Sequence, residues 1–267
     1  MAEWTFITVT YNSAATLTRF WSQPIPEGVE WIVVDNASAD DTVAVAEGLG
    51  ARVIALPTNV GFGTANNVAL KASEGRYVAF VNPDLSPNFD SLTRLEQSLE
   101  EHGGLVSPQL INPDGSLQPN GRGLPTLASK VRNRLSSSMQ NDSYQVLVHP
   151  GEEVSVDWFI GAAVLGSRET FEALGGWDER FFIYYEDSDI GLRAWRAGLS
   201  VRVVGDEQWV HGWARATTKF RLSPWMRELS SMSKFYAKYP TLLGSVAFAR
   251  RSFPGHRGAV ATRGGSL

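Results

Sequence analysis

The stretch Tyr77-Val-Ala-Phe-Val-Asn-Pro-Asp-Leu85 is an apolar run that stops abruptly at a carboxylate. Its β-favouring residues predict a buried strand, which Pro83 ends because proline has no N–H to donate to a neighbouring strand. Asp84 is therefore expected at the carboxyl end of that strand, the edge where open α/β sheets bind ligands. A carboxylate there suits a divalent cation. Taken alone, the segment is equally compatible with Asp84 as the cap of a helix or turn.

Composition limits the classes of protein to which the chain can belong. Its 267 residues, 43% of them hydrophobic, suffice for one large α/β domain. We expect a cytoplasmic protein, because no apolar run approaches the ~20 residues that span a bilayer and no signal peptide is visible. The absence of Cys agrees with a reducing compartment and excludes thiolate nucleophiles and Cys-ligated zinc. A net charge of -4 with scattered basic residues argues against nucleic acid as a partner.

The first 110 residues alternate strands with helices. Strands are predicted at 4–10, 31–35, 52–56 and 77–81, and helices at 15–21, 38–48, 63–73 and 89–102. Repeated βα units imply a parallel sheet with helices on both faces and ligands at the carboxyl ends of the strands. The side chains that follow the strands, Thr10, Asp35, Asn59 and Asp84, are therefore expected along one rim.

The loop Asn59-Val-Gly-Phe-Gly-Thr-Ala-Asn-Asn67 resembles a dinucleotide fingerprint only in part. It has glycines at 61 and 63, but asparagine occupies the third glycine position, and the loop follows the third strand rather than the first. A Rossmann NAD site is therefore rejected. Polar groups at the start of the following helix remain candidates for binding phosphate or ribose. The alternative is a flexible turn with capping asparagines.

The pattern changes after residue 105. A strand is predicted at 105–110, and the segment 118–150, rich in Pro, Gly, Ser and Asn, is interpreted as an irregular binding segment. Regular structure resumes at 154–167. There Trp158 precedes the small-residue step Gly161-Ala-Ala163, and small residues let a ligand or another backbone approach closely.

A second chemically loaded stretch predicts a helix over 186–198, with Glu186, Asp187 and Asp189 crowding its first turn, and a strand is predicted after it at 201–204. An acid near a helix N-terminus interacts favourably with the helix dipole by roughly 0.3–1 kcal/mol, which is enough to explain one of the three. Three acids after the aromatic run 181–185 instead indicate a carboxylate presented from an aromatic-walled pocket. Such surroundings raise a carboxylate pKa and suit a general base.

Five motifs, in their order along the chain, resemble those of family 2 glycosyltransferases with the GT-A fold. They are Val33-Val-Asp-Asn-Ala-Ser-Ala-Asp-Asp-Thr42, the 59–67 loop, Val81-Asn-Pro-Asp84, Gly175-Gly-Trp-Asp-Glu-Arg-Phe-Phe182 and Tyr185-Glu-Asp-Ser-Asp189. Within that family the chain is most similar to bacterial rhamnosyltransferases. The match covers roughly residues 4–215, and the ordered set is far more specific than any one motif.

The resemblance implies an organisation of the chain. The expected α/β fold has a single, mostly parallel nucleotide-binding sheet flanked by helices. Residues 1–110 would form the nucleotide-sugar-binding half, and residues 111–218 the acceptor-binding and catalytic half. A helical extension would occupy 219–254, followed by a disordered tail at 255–267.

The resemblance also implies roles for individual residues, one group for each part of the reaction. The nucleotide-sugar would contact Thr10, Asp35, Asp40, Asn66, Asn82 and Asp84. Mg²⁺ or Mn²⁺ would bind Asp84 and His211, although Asn82 replaces the first acid of the family's Asp-x-Asp motif and a lone His such as His211 is more often structural. Asp187 would be the general base. The acceptor side would be formed by Trp158, Gly161, Asp178 and Glu186.

The implied activity is an inverting sugar transfer in cell-wall or surface polysaccharide synthesis. The favoured donor is dTDP-L-rhamnose, ahead of other dTDP- or UDP-sugars, and the acceptor is a saccharide or polyprenyl-linked saccharide. A nucleotidyltransferase is disfavoured because Tyr11-Asn-Ser-Ala-Ala15 replaces the basic, glycine-rich loop that such an enzyme carries after its first strand. A non-catalytic nucleotide-sugar-binding module would tolerate loss of the base. The presence of Asp187 therefore favours an enzyme over such a module.

The segment 219–251 mixes basic residues with large apolar ones. It is compatible with a basic helix pair lying on the inner face of the cell membrane. Packing against the sheet, or contact with a second copy in a homodimer, explains the same pattern and is favoured.

Overall fold

The computed structural model describes residues 2–135, 144–212, 222–253 and 261–263. The strands are β1 (Trp4–Thr10), β2 (Val29–Asp35), β3 (Arg52–Ala55), β4 (Tyr77–Val81), β5 (Leu85–Ser86), β6 (Leu105–Ile111), β7 (Gly121–Arg122), β8 (Gln145–Val146), β9 (Glu152–Ser155), β10 (Trp158–Phe159), β11 (Ala163–Ser167), β12 (Val201–His211) and β13 (Ala261–Arg263). The helices are α1 (Ala14–Phe20), α2 (Thr42–Gly48), α3 (Phe62–Ala72), α4 (Leu92–His102), α5 (Leu127–Leu135), α6 (Arg168–Leu174), α7 (Glu186–Arg196), α8 (Leu222–Lys238) and α9 (Val246–Arg250). Short 3-10 turns at Phe89–Ser91 and Pro240–Leu243 precede α4 and α9.

Within the described ranges, ten strands form one mixed sheet in the order β13-β9-β12-β6-β11-β4-β1-β2-β3, with β5 paired to β12. The half formed by β4, β1, β2 and β3 is parallel, as the repeated βα units predict. Beyond β4 the sheet is mixed, since β11 runs antiparallel to both β4 and β6. The start of β11 therefore lies beside the carboxyl ends of β4 and β1.

Alternate residues of the central strands pack into two apolar layers on opposite faces of the sheet. Phe6 belongs to one layer and its neighbour Ile7 to the other, as expected for strands whose side chains alternate between faces. In the first layer Trp21 and Trp31 stack with ring centroids 4.2 Å apart. Burial on both faces explains why these strands are continuously hydrophobic.

The C-terminal helices form a third apolar cluster with the end of the 175–185 segment. Phe235 and Tyr239 of α8 contact each other, and Phe235 also packs on Phe181 and Tyr185. The C-terminal helices therefore pack on the sheet domain, which is one of the two favoured interpretations of 219–251. In the part of the chain that the structure describes, each helix is too short or too polar to span a membrane.

The segment 118–150 differs from its prediction as an irregular segment, because it contains β7, α5 and β8. The hydroxyl of Thr126 accepts the Ser129 N–H at 3.1 Å and caps the start of α5. Among the described residues β7 pairs with β8 and β10, so the hydrogen bonds of these strands depend on partners distant in sequence. Such two-residue strands carry no periodic pattern of their own.

Two further predictions need correction. Strand β12 continues to His211, well past the predicted 201–204, after a register shift against β6 between Val204 and Gln208. In the tail predicted to be disordered, residues 261–263 pair with β9, while the remaining residues of 255–267 lie outside the described part of the chain. Both differences depend on pairing partners that a local pattern does not reveal.

Asp189 ties the sheet domain to α8, and its loss is expected to destabilise the fold. Its fully buried carboxylate accepts hydrogen bonds from Arg193, Lys238 and the Tyr239 hydroxyl. Asp189→Asn would leave Arg193 without this counterion and Lys238 with Asp178 alone, so the free energy of unfolding should fall by about 3 kcal/mol. Urea unfolding measures the loss. The matched control is Glu172→Gln, at an exposed ion pair with Arg168, which should leave the transition nearly unchanged; equal stability of both variants would contradict the prediction.

Candidate active site

The rim at the ends of β1 and β2 contains a fixed, buried carboxylate. Thr10 and Asp35 are register partners, and the Thr10 hydroxyl donates to Asp35 Oδ1 at 3.1 Å. Asp35 also accepts the Ser38 N–H at 2.9 Å and the Ser38 hydroxyl at 2.5 Å. Directly after Thr10, the Tyr11 side chain is 55% exposed. The rim thus offers an oriented carboxylate and an exposed aromatic ring. The sequence motifs indicate the carboxylate but not the ring.

Asp40, expected near the nucleotide, accepts hydrogen bonds from the first residues of two helices. Its carboxylate accepts the Ala14 N–H of α1 at 3.2 Å and the Thr42 N–H of α2 at 3.1 Å, together with the Thr42 hydroxyl. The Thr42 hydroxyl is the main cause that lowers the pKa of Asp40. Asp40 therefore joins the starts of α1 and α2, which flank Asp35.

The 59–67 loop is held against the 175–182 segment. Gly61 has a φ of 90°, and a Cβ there would lie 2.6 Å from the Phe182 carbonyl oxygen, so glycine is required. Asn67 donates to the Trp177 carbonyl at 2.9 Å and accepts the Trp177 N–H at 2.8 Å. Asn66, expected near the diphosphate, is 1% exposed, and its Nδ2 has no hydrogen-bond partner among the described residues. A buried donor without a partner is available to a ligand.

Asp84 and His211 face each other beyond β4 and β12, with His211 Nε2 3.5 Å from Asp84 Oδ1. Gln118 identifies a ring nitrogen of His211 that carries a proton. Its amide nitrogen donates to the His211 carbonyl at 2.9 Å, so its oxygen must be the atom 2.9 Å from His211 Nδ1. We therefore assign a proton to Nδ1, so that in the neutral imidazole the Nε2 lone pair faces the carboxylate. Two acceptors in this arrangement suit a cation between them.

The protein supplies few ligands for such a cation. No group of three or more His, Cys, Asp or Glu side chains suited to a metal occurs within the described ranges. Mg²⁺ is commonly held by one or two protein ligands together with substrate phosphates and water. The residues present thus fit a divalent cation whose coordination is completed by a diphosphate.

Asp187 is held at the same edge of the sheet, at the start of α7. Its Oδ1 accepts the Ser188 N–H at 2.6 Å, and its Oδ2 accepts the Gly161 N–H at 3.3 Å. The neighbouring Ala162 carbonyl accepts the N–H of Asn82, which connects this group to the end of β4. A Cβ at Gly161 would lie 3.3 Å from Asp187 Cβ, so the small residue admits the carboxylate closely.

Unusual backbone precedes α7. Tyr184 and Tyr185 both have a φ of 71°, in the left-handed region that tyrosine rarely adopts. Strain of this kind persists only where the surrounding structure enforces it, and it is found preferentially at functional sites. Here it turns the chain so that α7 begins with Glu186 and Asp187.

Glu186 differs from Asp187 in its surroundings. It is 8% exposed, and its Oε2 has no partner among the described residues. Burial, and next the charge of Asp187, raise the pKa of Glu186 to about 8. A protonated carboxyl can donate as well as accept a hydrogen bond. Glu186 can therefore donate a hydrogen bond, whereas the adjacent Asp187 accepts hydrogen bonds from Gly161 and Ser188.

The other two residues expected on the acceptor side are engaged with protein groups. Trp158 is 4% exposed, and its indole N–H donates to the Gly123 carbonyl at 2.8 Å. Asp178 accepts hydrogen bonds from Arg180 and Lys238. Burial raises the pKa of Asp178, but these hydrogen bonds outweigh burial and hold the pKa below its ordinary value.

Comparison with known proteins agrees with this architecture. The family model "Glycosyl transferase family 2" matches residues 5–151. The N-acetylglucosaminyl-diphospho-decaprenol L-rhamnosyltransferase of Mycobacterium tuberculosis is 31% identical over 230 residues, which cover 75% of this chain and 73% of that protein.

Solved structures share the fold at low sequence identity. TarS 1–349 of S. aureus in complex with UDP has a TM-score of 0.55 and 21% identity, and the match covers 79% of this chain and 60% of that one. The mannosyltransferase PcManGT from Pyrobaculum calidifontis, in complex with GDP-Man and Mn²⁺, has a TM-score of 0.57 and 18% identity, with 99% and 76% covered. These similarities, together with the family model and the rhamnosyltransferase relative, confirm the resemblance seen in the motifs: the chain belongs to glycosyltransferase family 2 and is a glycosyltransferase with the GT-A fold.

Proposed function

We propose that the enzyme transfers L-rhamnose from dTDP-L-rhamnose, with inversion, to a hydroxyl of a saccharide or polyprenyl-linked saccharide in cell-wall or surface polysaccharide synthesis. The observation that carries the proposal is the position of Asp187, fixed beside the sheet edge that also bears Asp84 and His211. The printed activity of the mycobacterial relative supports the choice of donor and the lipid-linked class of acceptor.

The transfer is a single displacement at the anomeric carbon of the donor. The acceptor oxygen forms its bond to that carbon on the face opposite the diphosphate. The bond from the carbon to the diphosphate oxygen breaks, and its electron pair leaves with the nucleoside diphosphate. The proton of the acceptor hydroxyl passes to Asp187. A positioned base of this kind contributes roughly 10²- to 10⁴-fold to the rate.

The rest of the rim suits the nucleotide diphosphate. Asp35 is held as an acceptor for a ribose hydroxyl or a base N–H, and the exposed ring of Tyr11 provides a face for stacking. Asn66, within the 59–67 loop, supplies an amide donor that has no partner among the described residues. Mg²⁺ or Mn²⁺ held by Asp84 and His211 would supply positive charge for the departing diphosphate.

Replacing the proposed base should abolish transfer and spare binding. Asp187→Asn keeps the shape of the side chain but accepts no proton, so turnover should fall at least about 10²-fold. The assay measures release of dTDP from dTDP-L-rhamnose with a synthetic, short-chain N-acetylglucosaminyl-diphospho-prenol, and calorimetry measures binding of dTDP. Asp114→Asn, in an exposed turn, is the control. Normal turnover by Asp187→Asn would make the base assignment wrong.

The donor and the cation can be tested together by calorimetry. Binding of dTDP-L-rhamnose, UDP-galactose and UDP-glucose is compared with and without Mn²⁺, in wild type and Asp84→Ala. We expect dTDP-L-rhamnose to bind most tightly, with Mn²⁺ strengthening its binding and Asp84→Ala losing that gain. Tighter binding of a UDP-sugar would replace the proposed donor, and an unchanged Mn²⁺ effect in the variant would remove Asp84 from the cation site.

The role assigned to Gln118 gives a separate expectation for the cation. Gln118→Leu removes the acceptor of the His211 Nδ1 proton, and losses of such supporting contacts weaken metal binding about 10- to 100-fold. Electron paramagnetic resonance of free Mn²⁺, in the presence of dTDP, measures the affinity. Gln97→Leu, at an exposed position of α4, is the matched control. Equal affinities of the two variants would show that Gln118 does not support the site.

A further inference from the structure

Lys130 of α5 extends into the candidate active site from a segment outside the five family motifs. Its Nζ lies 4.1 Å from the centroid of the Tyr185 ring and 4.4 Å from that of Trp158. The same nitrogen donates to Ser188 Oγ at 2.9 Å. Two aromatic faces and one hydrogen bond thus hold the ammonium in a single place. A lysine on a helix surface would ordinarily keep its charge in water.

The hydrogen bonds of Ser188 have a defined direction. An ammonium has only donors, so Ser188 Oγ must accept from Lys130. The hydroxyl hydrogen is then left for Asp187 Oδ1, which lies 3.2 Å from Ser188 Oγ. Ser188 is fully buried, which removes water as a competing partner. The result is a chain of donors that runs from Lys130 through Ser188 to Asp187.

The charges around Lys130 come from three elements. Asp187 and Glu186 of α7 and Glu228 of α8 favour its charged form, whereas Arg122 of β7 opposes it. Burial is the largest influence and lowers the pKa of Lys130 to about 8. At pH 7 the group therefore carries its proton for most of the time, and the negative charge of Asp187, the largest favourable one, opposes the effect of burial.

We propose that Lys130 and Ser188 are positioning residues for Asp187: the ammonium, acting through the Ser188 hydroxyl, orients the carboxylate and compensates its negative charge. The inference rests on the proposed function, because it gives Asp187 the role of base. Asp187 thereby differs from the adjacent acid Glu186, whose Oε2 is buried and has no hydrogen-bond partner among the described residues. Without the relay, the Ser188 N–H and the Gly161 N–H would be its remaining donors.

The first test is the pH dependence of turnover in Lys130→Met, which keeps the length of the side chain and removes its charge. Loss of a nearby positive charge disfavours the ionised base, so the acidic limb of the kcat profile should move up by about one pH unit. At a pH on that limb, kcat falls about tenfold while KM and dTDP binding stay within about twofold. The control is Lys71→Met, at an exposed position of α3. An acidic limb that does not move in Lys130→Met would overturn the proposal.

Ser188→Ala tests the same relay with the loss of one oxygen atom, so it covers the case in which Lys130→Met fails to fold. It should move the acidic limb in the same direction as Lys130→Met. The double variant should move it no further than Lys130→Met alone, because both substitutions break one chain of hydrogen bonds. Independent, additive effects of the two substitutions would overturn the relay.

A measurement without turnover separates this inference from the proposed function. The protein is labelled with lysine carrying ¹³C at Cε, and the Lys130 signal, identified by its loss in Lys130→Met or in the milder Lys130→Gln, is titrated by NMR. In Asp187→Asn the Lys130 midpoint should fall below about 8, because a favourable negative charge is gone. An unchanged midpoint would overturn the inference. If the midpoint moves while the wild-type protein transfers no sugar from any donor, the proposed function fails and the coupling stands.

Discussion

The antiparallel pairing of β11 with β4 is the constraint on which the active site depends. It aligns Ala163 with Val81, and one residue further the Asn82 N–H donates to the Ala162 carbonyl at 2.9 Å. Because β11 runs opposite to β4, its start lies where β4 ends. Gly161 is thereby placed at the edge that bears Asp84, and its N–H holds Asp187. An acid that follows Asp84 by about a hundred residues in sequence thus reaches the same edge of the sheet.

The three acids at the start of α7 show how burial and partners separate chemically similar groups. Asp189 is neutralised by Arg193 and Lys238 and joins the sheet domain to the C-terminal helices. Among the described residues Oε2 of Glu186 has no hydrogen-bond partner, and burial raises the pKa of Glu186 to about 8. Asp187 accepts hydrogen bonds from Ser188 and Gly161. Successive helix positions point about 100° apart, so each acid meets different surroundings.

Most of the fold was predictable because its first half is built from local, periodic elements. The apolar runs of β1, β2 and β4 end at polar residues, and the helices between them begin and end close to the predicted residues. The 118–150 segment could not be predicted in this way, since β7, β8 and β10 form only through one another. For the same reason no motif indicates Gln118, whose contact with His211 spans 93 residues of sequence.

Read alone, the sequence predicts the parallel half of the sheet, the family and the residues that end the strands of that half. These features follow from periodicity and from an ordered set of motifs, which are both properties of the chain read locally. Folding decides what the individual side chains contact. Asp40 bonds to two helix termini, Trp158 is buried beneath Lys130, and Ser188 connects Lys130 to Asp187. The physical reason is that burial, hydrogen-bond direction and the state of an acid depend on groups brought together by folding.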